Sequence, residues 1–355
     1  MKYLFIAALT VLSISAQAED SILSSYELES PDAATIASVA KYFNLDHHHD
    51  GAFEVVVPQE QAELLLAIAP RAKLVEADMA AANQKRLASF KNGLFAFDGA
   101  RGYRTLVEVQ NWMRSSSFKY PFAKVVQYGT SASGKPLLAL RLNIGSAPKP
   151  ALMITAATHG DELITTEVTM NLIDQLLAGY GSNERFTQMI DRHDLYFVPV
   201  LNVDGFSATR RFDGNADPNR SYPYPGVENA TPTASIAGII KLFETIKPVA
   251  SLDFHAYGEM IMYPWAYTHD PIDSNTKAKL HSLTQSMAAQ NHYAYGPISD
   301  VIYIAPGSSA DYYYWKAGTA GIAIEMGQEK IPSPTEIPKY VNAIGESLWK
   351  FIEAF

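Results

Sequence analysis

The sequence predicts an α/β protein, with a mixed, largely parallel sheet flanked by helices and a small N-terminal α+β domain in front of it. Three observations predict it. Beyond residue 103 the apolar pattern alternates between strand-like and helix-like runs. Several strand candidates, such as Ala151–Ala156, are short continuous apolar runs, the mark of strands covered by helices on both faces. Four such runs are followed at once by polar or ionisable residues, in Thr158–Glu162, Asn202–Gly205, His255–Gly258 and Glu325–Gly327. In open α/β sheets ligands collect at the C-terminal ends of strands.

The elements follow in order. Residues 1–18 read as an export signal: Lys2 gives the positive start, Leu4 to Ile14 the apolar stretch, and Ala16-Gln17-Ala18 the cleavage pattern. The run is too short to span a bilayer and none later is longer, so no membrane span is expected. The mature chain should begin near Glu19 and work in a periplasm or outside the cell. Residues 19–80 form the small domain: strand Ser24–Glu29, helix Ala33–Phe43, strand Phe53–Val57, helix Gln59–Ile68 and strand Lys73–Glu76, punctuated by Pro58 and Pro70. Residues 81–102, in an Ala- and Lys-rich stretch that opens at Met79, read as a linker.

The larger domain, 103–355, starts with helix Thr105–Ser115 and strands Ala123–Tyr128, Leu137–Asn143 and Ala151–Ala156. Helix Leu163–Ala178, strand Leu195–Val200, helix Ala234–Ile246, and strands Val249–Phe254 and Glu259–Tyr263 come next. Helices Asn275–Gln290 and Ser309–Lys316, strand Gly321–Glu325 and helix Tyr340–Ala354 complete it.

Composition narrows the function. A net charge of −9 without a basic block excludes a nucleic-acid binder, which needs cations against phosphate. The absence of cysteine removes disulfides, thiol nucleophiles and Cys-based zinc sites together. Two motifs are decoys. Gly129 to Lys135 imitates a phosphate loop, but Pro136 stands where a Ser or Thr must hold magnesium. His47-His48-His49 reads as a surface loop, because three consecutive histidines do not converge easily. Met260 and Met262 read as core filler.

The chemistry lies in residues at strand ends. His159 and Glu162, at i and i+3, can face one metal ion; alone, the pair equally fits a helix start that favours acidic residues. His255 ends an apolar strand. Two His and one Glu form a zinc set that leaves a coordination position open, the catalytic kind. Glu325, emerging from Gly321-Ile322-Ala323-Ile324, either pairs with a cation or serves as a general base.

Together these residues resemble the zinc carboxypeptidase family of the carboxypeptidase A type. Asn202-Val203-Asp204-Gly205-Phe206 resembles the family's Asn-Pro-Asp-Gly-aromatic turn, and Arg210-Arg211 to Asp217-Pro218-Asn219-Arg220 its Arg followed by Asp-x-Asn-Arg. Tyr303, Gly307, Ser309, Asp311, Gly318 and Glu325 agree in spacing without a gap, and Gly129-Thr130-Ser131 to Gly134-Lys135-Pro136 resembles an early turn. The resemblance covers about Tyr103 to Phe355. It implies one zinc ion on His159, Glu162 and His255, with Glu325 as base and then acid. It implies that Arg210, with Arg211 ranked second, steadies the oxyanion. It implies that Asn219, Arg220 and Tyr303 hold a terminal carboxylate, and that Ala310 lies at the base of the side-chain pocket. A small neutral residue there fits release of apolar or aromatic residues from the C-terminus of a peptide or protein.

Two departures matter. Asp161 stands where animal digestive members carry an Arg, and bacterial members acting on cell-wall peptides often have Gly-Asp, so a cell-wall stem-peptide carboxypeptidase or amidase on the same zinc core is the second reading. Ala256 replaces the family's usual Ser after the second metal histidine. A catalytically silent zinc-fold binding module is the remaining alternative, disfavoured because a binder needs neither Glu325 nor Arg210. Residues 19–80 read either as an inhibitory prosegment or as a permanent accessory domain.

Overall fold

The computed structural model describes residues 21–47, 52–92 and 102–355; the export signal (1–18) and the histidines at 48 and 49 fall outside them. Its first unit contains β1 (Leu23–Leu28), α1 (Ala33–Val39), β2 (Asn44–His47), β3 (Phe53–Pro58), α2 (Ala62–Ile68) and β4 (Lys73–Glu76). The strands pair antiparallel in the order β2-β3-β1-β4. Alternation in β3 sends Phe53, Val55 and Val57 inward onto Tyr26, Val39 and Leu65. The sequence reading missed β2, because Asn44-Leu45-Asp46-His47 has no strand-forming pattern; its partner β3 supplies the order. The described residues of the expected linker up to Asn92 are helical, as α3 (Met79–Asn92). Ala- and Lys-rich sequence favours helix by propensity even without an apolar stripe.

The larger unit follows with α4 (Leu106–Lys119), β5 (Ala123–Thr130), β6 (Pro136–Leu142), β7 (Ala151–Ala156), α5 (Leu163–Gly179), α6 (Glu184–Arg192) and β8 (Asp194–Val198). Next are α7 (Val203–Ala208), α8 (Ala234–Ile246), β9 (Ala250–His255), β10 (Met260–Tyr263), α9 (Ser274–Met287), β11 (Ala294–Pro297) and α10 (Ile298–Val301). The chain ends with α11 (Ser309–Ala317), β12 (Ala320–Glu325) and α12 (Ile337–Glu353).

Eight strands form one sheet in the order β11-β10-β12-β9-β7-β8-β6-β5. The central β12-β9-β7-β8 block is parallel, whereas β5, β6 and the β10–β12 pairing are antiparallel, so the sheet is mixed and largely parallel as expected. Every residue of β7 and β9 is buried, which accounts for the nearly unbroken apolar sequence of β7, whereas β9 alternates apolar residues with Ser251, Asp253 and His255. Gly134, with φ of 82°, turns β5 directly into antiparallel β6. Lys135 and Ser133 of that turn bind Asp204, so the phosphate-loop imitation is a structural turn. Among the described residues no helix is long and apolar enough to cross a membrane.

This topology places the site. Strands β7, β9 and β12 are adjacent and parallel, so their C-terminal ends open on one edge. Register sets Glu325 directly beside His255, and Ala156 beside Phe254.

Candidate metal centre

His159 sits in the segment that leaves β7, and Glu162 immediately precedes α5. The segment turns sharply against α7. A Cβ at Gly160 would lie 2.2 Å from the backbone carbon of Gly205, so only glycine permits the approach. Asn202 holds the opposing turn: its side chain accepts from Gly205 N–H at 2.9 Å and donates to the Arg211 carbonyl at 3.3 Å. The Asn-Val-Asp-Gly-Phe motif thus fixes the backbone against which the first two ligands fold.

His159, Glu162 and His255 converge, with one donor atom from each lying within 4.8 Å of the others. His159 Nδ1 is 2.6 Å from Glu162 Oε1, and His255 Nδ1 is 3.2 Å from Glu162 Oε2. The two Nδ1 atoms face each other at 3.3 Å. Behind each ring stands a carboxylate: Asp217 Oδ1 at 3.1 Å from His159 Nε2, and Asp253 Oδ2 at 3.1 Å from His255 Nε2. A carboxylate fixes the proton on Nε2 and leaves the Nδ1 lone pair bare, the arrangement of metal-binding histidines. Two bare lone pairs and a carboxylate facing one another in a buried place require a cation between them, so the donor set fits a metal.

The electrostatics agree. Burial pushes the Glu162 carboxyl up, yet the two imidazoles outweigh it and hold the group far below the usual range. Burial opposes charge on His255 as well, but Asp253 and Glu162 raise it well above the ordinary imidazole value. The pocket favours positive charge at its centre. A His₂Glu set with nitrogen and oxygen donors matches zinc with a coordination position left open.

Thr209 ends α7 in the left-handed conformation, with φ of 54°, and the two arginines after it diverge. Arg210 is partly buried and donates from Nη2 to the Ser21 carbonyl at 2.7 Å. Arg211 is buried, with Nε on Asp217 Oδ2 at 3.0 Å and Nη1 3.9 Å from Glu162. Arg211 is thus the arginine set against Asp217 and Glu162. Two adjacent arginines look alike in sequence, and backbone handedness separates them.

The remaining residues assemble nearby. Asn219 accepts from Ser309 N–H at 3.0 Å and places Nδ2 3.3 Å from His255 Nε2. Arg220 donates to the Tyr303 hydroxyl at 2.9 Å. Gly307, with φ of 84°, lies so close to the Arg220 carbonyl (2.4 Å from a would-be Cβ) that no side chain fits. Ala310 is buried in one apolar cluster with Met260, Met262, Ala266, Ile298 and Ala305, so both methionines are core residues as read from the sequence. Asp161 is buried against Lys330, 3.6 Å away.

The same apolar cluster continues into the first unit through Phe43, Leu45 and Val55. The Tyr303 hydroxyl accepts from Leu45 N–H at 3.3 Å and donates to the Leu45 carbonyl. Lys330, beside Asp161, is 3.7 Å from Glu54 of β3. The β2 and β3 strands therefore touch both sides of the cleft. Asp217, Asp253 and Leu45 were assigned no role from sequence. For Asp253 the signal existed: an acidic residue inside a buried strand, two positions before His255 and so on the same face.

Comparison with known proteins places this geometry in a family. The sequence profile of the zinc carboxypeptidases matches residues 109–346, and the chain belongs to that family. Rat carboxypeptidase A1 is 25% identical over 254 residues, which cover 60% of this chain and 59% of the relative. Metallocarboxypeptidase A of Trichophyton tonsurans is 30% identical over 231 residues, covering 54% of this chain and 55% of that protein. The chain thus matches less than two thirds of the length of these relatives. In structure it is similar to the carboxypeptidase A of Helicoverpa armigera, with a TM-score of 0.74, 19% identity, and coverage of 95% of this chain and 98% of the other. The thrombin-activatable fibrinolysis inhibitor aligns with a TM-score of 0.72 and 15% identity, covering 94% of this chain and 98% of its own. Such coverage takes in the small first unit as well as the large one.

Proposed function

We propose that the protein is a zinc-dependent carboxypeptidase that hydrolyses the peptide bond beside a free C-terminus and releases apolar or aromatic residues. The observation that carries this reading is the convergence of His159, Glu162 and His255, with Glu325 in register beside His255. Zinc, when bound there, polarises a carbonyl and makes water a better nucleophile. Every other task falls to side chains. Glu325 takes the proton from the attacking water and returns it to the leaving amine. Arg220 offers its planar fork to the terminal carboxylate, helped by the Tyr303 hydroxyl and the Asn219 amide. Arg211 takes the place read for Arg210 and supplies fixed positive charge where the oxyanion develops. The apolar cluster around Ala310 receives the terminal side chain, and its lack of a charged group favours apolar residues.

On this reading the first unit is a prosegment that keeps the site closed. Leu45 engages Tyr303 through backbone groups, as a bound peptide would, and the Glu54 contact to Lys330 secures the other side. The export signal read at residues 1–18 puts the enzyme in a periplasm or outside the cell. Asp161, on which a cell-wall substrate was weighed, is turned against Lys330 under the first unit, so a general peptide substrate is preferred.

The test incubates the zinc-loaded full chain, before and after limited trypsin digestion, with blocked dipeptides ending in Phe, Leu, Lys or Glu, and with cell-wall stem peptides. Mass spectrometry should find Phe and Leu released fastest, faster after digestion, and not at all after chelation. Glu325→Gln should slow turnover about 10²–10⁴-fold. If no peptide is cut in either preparation while zinc is bound, the carboxypeptidase reading is wrong.

A further inference from the structure

Asp253 is a carboxylate in the middle of a fully buried strand, 3% exposed. An apolar residue would suit that position in the sheet, since a buried charge carries a desolvation cost that only good hydrogen bonding offsets. Its hydrogen bonding is complete. Oδ1 accepts from the hydroxyls of Thr155 at 2.8 Å and Thr158 at 2.9 Å. Oδ2 accepts from the Ser309 hydroxyl at 2.9 Å and lies 3.1 Å from His255 Nε2. These contacts fill the acceptor capacity of a carboxylate and come from β7, the segment after it, α11 and β9 itself. The sheet has no need of such an arrangement, whereas His255 does.

The need arises from a competitor. Asn219 Nδ2 stands 3.3 Å from the same His255 Nε2. An amide nitrogen only donates, so it favours the tautomer in which Nε2 accepts and the proton sits on Nδ1. A protonated Nδ1 cannot ligate a metal. Asp253 only accepts, and therefore favours the opposite tautomer, with Nε2–H toward the carboxylate and the Nδ1 lone pair toward Glu162 and His159. The charged acceptor is the stronger partner. Ser309 joins the two rivals: its N–H holds Asn219 Oδ1, while its hydroxyl holds Asp253 Oδ2. The next residue in α11 is Ala310 of the apolar pocket.

We propose that Asp253 is a positioning residue of the metal centre that holds His255 in its metal-binding tautomer against Asn219, and that Ser309 ties this choice to the helix carrying the side-chain pocket. The inference rests on the reading that His159, Glu162 and His255 bind a metal, and it stands whether or not the protein proves to be a peptidase.

The test measures zinc affinity of the full chain by competition with a chromophoric chelator, the visible spectrum after cobalt substitution, and histidine tautomers by ¹⁵N chemical shift in histidine-labelled protein. Asp253→Asn should weaken zinc binding about 10–100-fold, alter the cobalt spectrum and move the His255 proton to Nδ1. Thr155→Val and Ser309→Ala should each weaken binding by a smaller factor, with Thr155→Ser, which keeps the hydroxyl, close to the unsubstituted chain. Adding Asn219→Ala to Asp253→Asn should restore part of the loss, because the competing donor is gone. Unchanged affinity and spectrum in Asp253→Asn would overturn the proposal. If that variant does not fold, Thr155→Val and Ser309→Ala decide it, and full zinc affinity in both overturns it equally. Peptide hydrolysis takes no part in these readouts, so a chain that binds zinc through Asp253 but cuts nothing would sink only the carboxypeptidase reading.

Discussion

At Asp311, one residue beyond Ala310, a carboxylate accepts the backbone N–H groups of Ala266 at 2.8 Å and Tyr267 at 2.9 Å. Burial pushes its pKa up to about 7, against those two donors and the charge of Arg220. The folded chain therefore keeps a proton that the unfolded chain releases near pH 4. Folding stability should fall as pH rises from about 4 to about 7 and then level off, by on the order of 1–3 kcal/mol. Asp311→Asn cannot ionise. It should be less stable than the parent at low pH, having one acceptor fewer for two N–H groups, but with a flatter profile. Urea midpoints between pH 4.5 and 8 measure the difference; parallel slopes in the two proteins would place the titration elsewhere. What was legible at this scale depended on spacing. His159, Glu162, His255 and Glu325 announce themselves by following apolar runs, while Arg210 and Arg211 are indistinguishable until the left-handed Thr209 sets them apart. Asp253 was readable in principle, because an acidic residue in a buried strand needs a reason.

Among the elements, the β2–β3 pair would keep the cleft closed on the proposed prosegment reading. Residues Leu45 and Val55 pair across it, and Glu54, one position away, approaches Lys330. The Lys330 and Glu54 side chains are 10% and 17% exposed, so solvent screens the contact only in part. Glu54→Gln removes that attraction without altering the backbone contact at Tyr303. A loss of about 1 kcal/mol raises the population of the open arrangement roughly fivefold. The undigested full chain should gain turnover by that factor, read as initial rate on a blocked dipeptide, and the gap should close after digestion. Equal rates before digestion would mean that Glu54 does not help to hold the unit down. The sequence could not have foreseen this contact, because Asn44–His47 has neither alternation nor β-branched residues and becomes a strand only through its neighbour. Helix α6 was missed for a related reason. The sequence reading assigned it no element, whereas the Asn183 cap and the buried Met189 and Ile190 hold it in place. The strands β7 and β12 were legible because burial on both faces writes a nearly unbroken apolar run.

For the molecule as a whole, the metal centre is a cross-link between two neighbouring strands whose ligands lie 96 residues apart in the chain. His159 follows β7, His255 ends β9, and their rear carboxylates come from residue 217 and from β9 itself. Without a cation, two Nδ1 atoms at 3.3 Å and the Glu162 carboxylate must face one another in a buried place. An ion that binds the folded chain and not the unfolded one stabilises it by about 4 kcal/mol when present at a thousand times its dissociation constant. Chelation of the full chain should accordingly lower its thermal midpoint by several degrees, and re-addition of zinc should restore it. Glu162→Gln removes one ligand and its charge, so its midpoint should hardly respond to either treatment. The comparison separates metal bound at this centre from metal bound elsewhere, because a second site would still respond in the variant. A chain whose midpoint ignores both chelator and zinc, measured by calorimetry at neutral pH, would mean that these donors face one another for some purpose other than holding an ion.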